Sequence, residues 1–133
     1  MKESFITEVI CHILKRDGYK IAVEVPNFNI SADIAAISPC GEVLVIECKV
    51  SDIKQAVVQS ITHRISADRV MIATYRKKLR SNTFNNLKQH NIGLYLVDEN
   101  GSVEVGWQPT TREAIWPLRR EQLRTLILEE QET

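Results

Sequence analysis

The sequence predicts an α/β domain in which helices pack against a central mixed β-sheet. Two observations carry this. Segments with helical apolar spacing alternate with short apolar runs of strand length, in the order α-β-β-β-α-β-α-β-β-α. The chain has 133 residues, 44% of them hydrophobic and 26% charged, which suits one apolar core and an ordinary soluble surface. No repeat, low-complexity tract or linker divides it.

Phe5, Ile6, Val9, Ile10, Ile13 and Leu14 share one helical stripe. Asp17-Gly18 closes it, with glycine where a left-handed residue is favoured. Tyr19 to Val25 reads as a strand broken by Pro26-Asn27. A second strand runs from about Asn29 to Ile37, and the turn SPCG leads into a third, Glu42 to Val50. Ser51-Asp52 offers a helix N-cap, after which Ile53, Ala56, Val57, Ser60, Ile61, Arg64 and Ile65 form a stripe. Arg69 to Tyr75 is nearly all apolar, as a strand covered on both faces is. Leu79 to His90 reads as a helix, NIGLYLVD as a strand, and DENG as a turn into the edge strand SVEV. The last segment, TTREAIWPLRREQLRTLILEE, reads as a helix whose Pro117 lies in the first turn or kinks it. Its Leu123, Leu126 and Ile127 need a surface from the domain or from a second subunit. The sheet is expected to be antiparallel at its start and parallel through the βαβ part.

Composition excludes some functions. Lys and Arg number 17 and so do Asp and Glu, so a protein that coats nucleic acid non-specifically is not indicated. TYRKKLR is a local basic patch: Arg76, Lys77, Lys78 and Arg80, with Lys54, are the candidate phosphate contacts. Arg119, Arg120 and Arg124 form a looser one. No apolar run approaches the ~20 residues that span a bilayer, and MKESFITEVI has no secretory character, so a cytoplasmic protein with no membrane partner is expected. The three cysteines, Cys11, Cys40 and Cys48, show no CxxC spacing and read as reduced thiols.

The stretch VIECKV stands out. Strand residues two apart share a face, so Glu47 and Lys49 lie beside Val43 and Val45 on an otherwise apolar surface. A type I turn at Ser38 to Gly41, with Gly41 left-handed, makes a three-residue loop that pairs Ser38 with Glu42. Counting back, Asp33 falls opposite Glu47. Two facing carboxylates without a basic partner between them repel. A hard divalent cation relieves this, since Mg²⁺ binds one or two carboxylates and keeps several waters. The Cys48 carbonyl is a further candidate donor. Lys49 is then placed to orient or deprotonate a water, or to stabilise charge on a phosphorus-centred transition state.

SADIAAISPCGEVLVIECKV resembles the core motif of the PD-(D/E)xK nuclease superfamily, an Asp on one strand followed across a hairpin by Glu-x-Lys. The order helix, three strands, helix, strand is similar to that fold too, and the resemblance covers roughly Phe5 to Val105. It implies a restriction endonuclease-like core, with a nuclease-like domain over residues 1–107. Residues 108–133 would be a helical extension packed on the domain or at a dimer interface. It also implies Mg²⁺- or Mn²⁺-dependent phosphodiester hydrolysis, usually in DNA, with Asp33 and Glu47 as metal ligands and Lys49 as the catalytic lysine. Small members of similar size include Holliday junction resolvases, which act as dimers, so a homodimer acting on branched or repair DNA is expected. Ala32 stands where the motif's name has Pro. One branch carries Gln then Tyr on the helix after the motif; Gln59 matches the Gln as a supporting catalytic residue, and His63 stands at the Tyr position, where a core-edge or solvated histidine is expected. Glu24 is a candidate for the same metal or a bound water. Glu3 and Glu8 are candidates for the first-helix acid of related nucleases, Glu8 reading better as surface. The alternative is a nuclease-fold binding or partner module that does not cut, favoured by the neutral charge and the leucine-rich last helix.

Overall fold

The computed structural model describes residues 1–27 and 30–131. The elements follow in the expected order: α1 (Glu3–Arg16), β1 (Lys20–Asn27), β2 (Ile30–Ile37), β3 (Val43–Lys49), α2 (Ile53–His63), β4 (Arg69–Tyr75), α3 (Ser81–Gln89), β5 (Gly93–Val97), β6 (Val103–Trp107) and α4 (Pro117–Gln131). Arg76–Lys78 form a short 3₁₀ turn before α3. The strands lie in one sheet in sequence order, β1 and β6 at its edges. β1/β2, β2/β3 and β5/β6 are antiparallel; β3/β4 and β4/β5 are parallel, joined by the crossovers that parallel pairing requires.

Both faces are covered. On one, Ile6, Ile10 and Leu14 of α1 pack on Ile34, Leu44, Ile46, Cys48 and Met71. On the other, Leu123 and Ile127 of α4 pack on Ala22, Ala35, Val43 and Val45, while Ala56, Val57 and Leu87 of α2 and α3 cover Ile72 and Leu94. Burial on both sides is why β3 and β4 read as continuous apolar runs.

The structure departs from the sequence reading at several points. β1 continues through Pro26, which pairs with Ser31. An edge strand tolerates proline because one side of its backbone has no ladder partner. The expected start of β2 at Asn29 lies outside the described residues. Asp52 stands at the N-cap of α2 but is left-handed (φ 52°) and its side chain makes no cap bond, unlike the extended cap that aims a side chain back at the first turn. The last helix begins only at Pro117, which takes its first turn. Residues 110–116 are not helical because their backbone is engaged elsewhere. Ala114 N–H donates to Asp68 Oδ1 (3.1 Å), Arg112 N–H to the Asp68 carbonyl (3.1 Å), and Trp116 N–H to the Ile65 carbonyl (2.9 Å). Asp68, buried, also accepts from Val43 N–H (2.8 Å) and Arg120 Nε (2.9 Å).

The β2–β3 hairpin has the register its turn chemistry predicts. Ser38 N–H donates to the Glu42 carbonyl (2.9 Å), Gly41 N–H to the Ser38 carbonyl (2.9 Å), and Gly41 has φ +92°. Pairing runs from Ile37↔Val43 to Ile34↔Ile46, and one further step brings Asp33 level with Glu47. A Cβ at Gly41 would meet nothing closer than the Arg124 guanidinium at 3.8 Å, so it is the left-handed conformation that calls for glycine there. Gly41→Val should therefore lower stability by about 1–2 kcal/mol. Urea unfolding checks this, and an unchanged midpoint contradicts it.

Candidate active site

The site forms where the strand ladders stop. Between β1 and β2 each facing residue pairs from Lys20↔Ile37 to Asn27↔Ile30, with the Glu24–Asp33 position left out. Glu24 takes φ +52° there. On the other side, β2–β3 pairing ends at Ile34↔Ile46. Asp33 thus leaves both ladders, and its Oδ2 accepts the Cys48 N–H at 2.7 Å. A side chain here satisfies a strand amide beyond the last paired residue.

Burial is the largest influence on Asp33 and pushes its carboxyl up to about 7. The Cys48 N–H opposes the rise, while the Glu47 carboxylate, by charge and by hydrogen bonding, and Glu3 by charge add to it. The two acids of the motif therefore lie near enough to influence one another.

Glu47 is 2% exposed. Its Oε1 lies 2.6 Å from Nε2 of His63, which is fully buried. His63 Nδ1 lies 2.7 Å from Asn27 Nδ2, and Asn27 Oδ1 accepts from the Ser66 hydroxyl at 2.9 Å. Lys49 makes no ion pair with Glu47 among the described residues; its Nζ lies 3.5 Å from Gln55 Oε1. Gln55, Gln59 and His63 are four apart on α2, so they share one face. Gln59 lies between the partner of Lys49 and the partner of Glu47, and its Oε1 is buried without a hydrogen-bond partner among the described residues.

A cleft of about 350 Å³ opens on the α1 side of Asp33, lined by Ser4, Thr7 and Glu8 of α1, Glu24 of β1 and Asp33 itself. Glu24 thus shares a cleft with Asp33. Glu8, read as surface from the sequence, is exposed but lines that cleft as well, and Glu3 is felt by Asp33 through its charge.

Among the described residues, no three His, Cys, Asp or Glu side chains converge as a closed metal cage. The Cys48 side chain lies in the α1-side core, where burial pushes its thiol far up, so it supplies no thiolate. What remains is two neighbouring carboxylates, Asp33 and Glu47, with the Cys48 carbonyl as a further candidate donor. That set fits a hard cation that keeps most of its waters, as Mg²⁺ does, and does not fit a structural Zn²⁺.

The basic patch is largely neutralised. Arg76 pairs with Asp98 (3.0 Å) and with Glu104, and Lys77 with Glu99 (3.7 Å). Lys54, Lys78 and Arg80 are exposed and have no ion pair among the described residues. In the looser cluster, Arg120 holds Asp68 and Arg124 Nη1 donates to the Gly41 carbonyl (2.8 Å). Arg64 bonds the Ala67 carbonyl, and Arg69 bonds the Tyr19 hydroxyl (3.0 Å).

No protein-family model and no curated protein matches the chain. Solved structures do. SPO1766, a protein of unknown function from Silicibacter pomeroyi, superposes with TM-score 0.75 at 21% identity, over 99% of this chain and 87% of that one. A repair endonuclease from Pyrococcus abyssi superposes with TM-score 0.59 at 16% identity, over 74% of this chain and 47% of that one. The chain has a nuclease-like fold. Within this nuclease-like fold, the sequence reading missed the buried His63, Asn27 and Ser66. The spacing of His63 from Gln59 was a signal that it faces the sheet; Asn27, next to Pro26, read only as the end of a strand.

The raised Asp33 carboxyl has a consequence for stability. Above its ordinary 3.8 the folded chain holds this proton more tightly than the unfolded chain, up to about 7. Stability contributed by the protonated acid is thus lost as pH rises through that window. In EDTA, Asp33→Asn should remove this loss and melt roughly 2–4 °C above the parent at pH 8, the gap closing toward pH 4. Mg²⁺ should raise the parent's midpoint and leave the variant's unchanged. Parallel pH profiles for the two proteins would contradict this.

Proposed function

We propose that the chain is a Mg²⁺- or Mn²⁺-dependent nuclease of the PD-(D/E)xK type that hydrolyses phosphodiester bonds in DNA, including branched or repair intermediates. One observation carries the reading: the half-buried Asp33 carboxylate accepts the Cys48 N–H (2.7 Å) beside the buried Glu47 where the β2–β3 ladder ends, with Lys49 next on the same strand.

In this reading Asp33 and Glu47 would hold the cation, with the Cys48 carbonyl as a further candidate donor and Glu24 lining the same cleft as Asp33. A bound Mg²⁺ supplies positive charge that polarises the phosphate and acidifies a water. Lys49 has no carboxylate partner among the described residues, so its side chain would orient a water, take its proton once itself deprotonated, or donate to a phosphate oxygen. Gln59, whose buried Oε1 has no hydrogen-bond partner among the described residues, would orient Lys49 or substrate. Lys54, Lys78 and Arg80 contact the phosphate backbone, with Arg76 and Lys77 joining if their acidic partners yield. A homodimer places two sites on two strands, and the exposed Val58, Ile61, Ile115 and Trp116 offer apolar surface for it.

The second reading, a nuclease-fold module that binds without cutting, is favoured by the acidic neutralisation of Arg76 and Lys77. Nicking of plasmid and branched DNA separates the two. Cleavage should require Mg²⁺ or Mn²⁺ and stop with EDTA. Glu47→Ala and Lys49→Ala should each slow it about 10²–10⁴-fold. Cleavage that survives both substitutions overturns the proposal, and DNA binding without cleavage supports the second reading.

A further inference from the structure

We infer that Ser66, Asn27 and His63 form a positioning relay that fixes which oxygen of Glu47 is offered to a cation, and thereby sets the affinity of the site for metal. The inference rests on the reading of Asp33 and Glu47 as metal ligands and adds a determinant of that site from outside the motif.

With the Asn27 amide oriented as in the structure, the relay runs in one direction. The Ser66 hydroxyl donates to Asn27 Oδ1 (2.9 Å), which leaves the amide Nδ2 facing His63 Nδ1 (2.7 Å). An amide nitrogen only donates, so Nδ1 accepts and carries no proton. The proton of the neutral imidazole then sits on Nε2 and points at Glu47 Oε1, 2.6 Å away. This tautomer follows from the hydrogen-bond network.

Three features make this more than incidental core polarity. First, the four side chains are buried. Water therefore does not substitute for a lost partner, and a buried polar chain is stable only when each link is made. Second, the members come from separate parts of the fold: the end of β1, the end of α2, the loop before β4, and β3. Packing alone does not place them in line. Third, the neutral imidazole donates one hydrogen bond and brings no positive charge. Only Oε1 of Glu47 is engaged by the imidazole, which leaves its second oxygen, Oε2, for a cation. A guanidinium or ammonium in the place of His63 would satisfy the carboxylate equally well but would repel the metal. His63 is thus a positioning residue for Glu47, and Asn27 and Ser66 are positioning residues for His63. Hydrogen bonds that orient ligating side chains in this way typically contribute about 10–100-fold in metal affinity.

Mn²⁺ binding to the full chain without DNA, followed by calorimetry and by the electron paramagnetic resonance signal of free Mn²⁺, tests this. His63→Leu should weaken binding about 10–100-fold, and His63→Gln, which restores a donor, should recover most of it. Asn27→Leu, which touches neither acid, should weaken binding in the same direction. Far-ultraviolet circular dichroism and melting in EDTA establish that each variant is folded, and Ser66→Ala replaces any that is not. A long-range ¹H–¹⁵N imidazole spectrum of the parent should show His63 protonated on Nε2. Parent-like Mn²⁺ affinity in the folded relay variants, or an Nδ1-protonated His63, overturns the relay. If Glu47→Gln and Asp33→Asn still abolish binding, the metal reading stands without it. A parent that takes up no Mn²⁺, or takes it up equally in Glu47→Gln, overturns the metal reading and the relay together.

Discussion

The carboxylate of Glu47 is buried inside the sheet, and a buried carboxylate is costly unless something donates to it. The donor is His63, at the end of α2, and that contact ties the helix, already packed through Ala56 and Val57, to the strand. With the end of α2 held over Glu47, its beginning lies over Lys49, so Gln55 reaches the ammonium and Gln59 falls between the two. The other nitrogen of the same imidazole draws in Asn27, which ties the end of the edge strand β1 to the helix. Strand, helix and edge are thus arranged around one acid.

The second acid is placed by the hairpin. Gly41 permits the turn that sets the β2–β3 register, and the interrupted Glu24–Asp33 position lets Asp33 turn toward the Cys48 amide. Burying Asp33, with Glu47 nearby, works against stability, as its raised carboxyl shows. The fold tolerates this because β3 is packed on both faces and Asp68 fastens its start to α4 through Arg120. Energetically unfavourable charge at a site supported by a well-packed surround is the pattern expected of functional chemistry.

Much of this arrangement is legible in the chain because it depends on local rules. SPCG dictates its own turn, the turn dictates the register, and the register levels Asp33 with Glu47. The relay is not legible, because Asn27 and Ser66 meet 39 residues apart and His63 meets Glu47 across 16, with no periodicity linking them. Pro26 read as a breaker because edge position is a property of the sheet, not of the segment. The late start of α4 has a similar origin: one buried aspartate before β4 captures backbone of residues 112 and 114. TYRKKLR read as a basic patch because Asp98, Glu99 and Glu104, which neutralise part of it, come from the β5–β6 turn and the edge strand.

The central claim is that Asp33 and Glu47 are held together in order to bind a divalent cation. Its most direct measurement is anomalous diffraction from crystals of the full chain soaked in Mn²⁺. The account predicts a peak bridging an oxygen of Asp33 and Oε2 of Glu47, with His63 Nε2 still bonded to Oε1. Full-occupancy Mn²⁺ elsewhere with none between these two carboxylates, or a Glu47 turned away from Asp33, would contradict it.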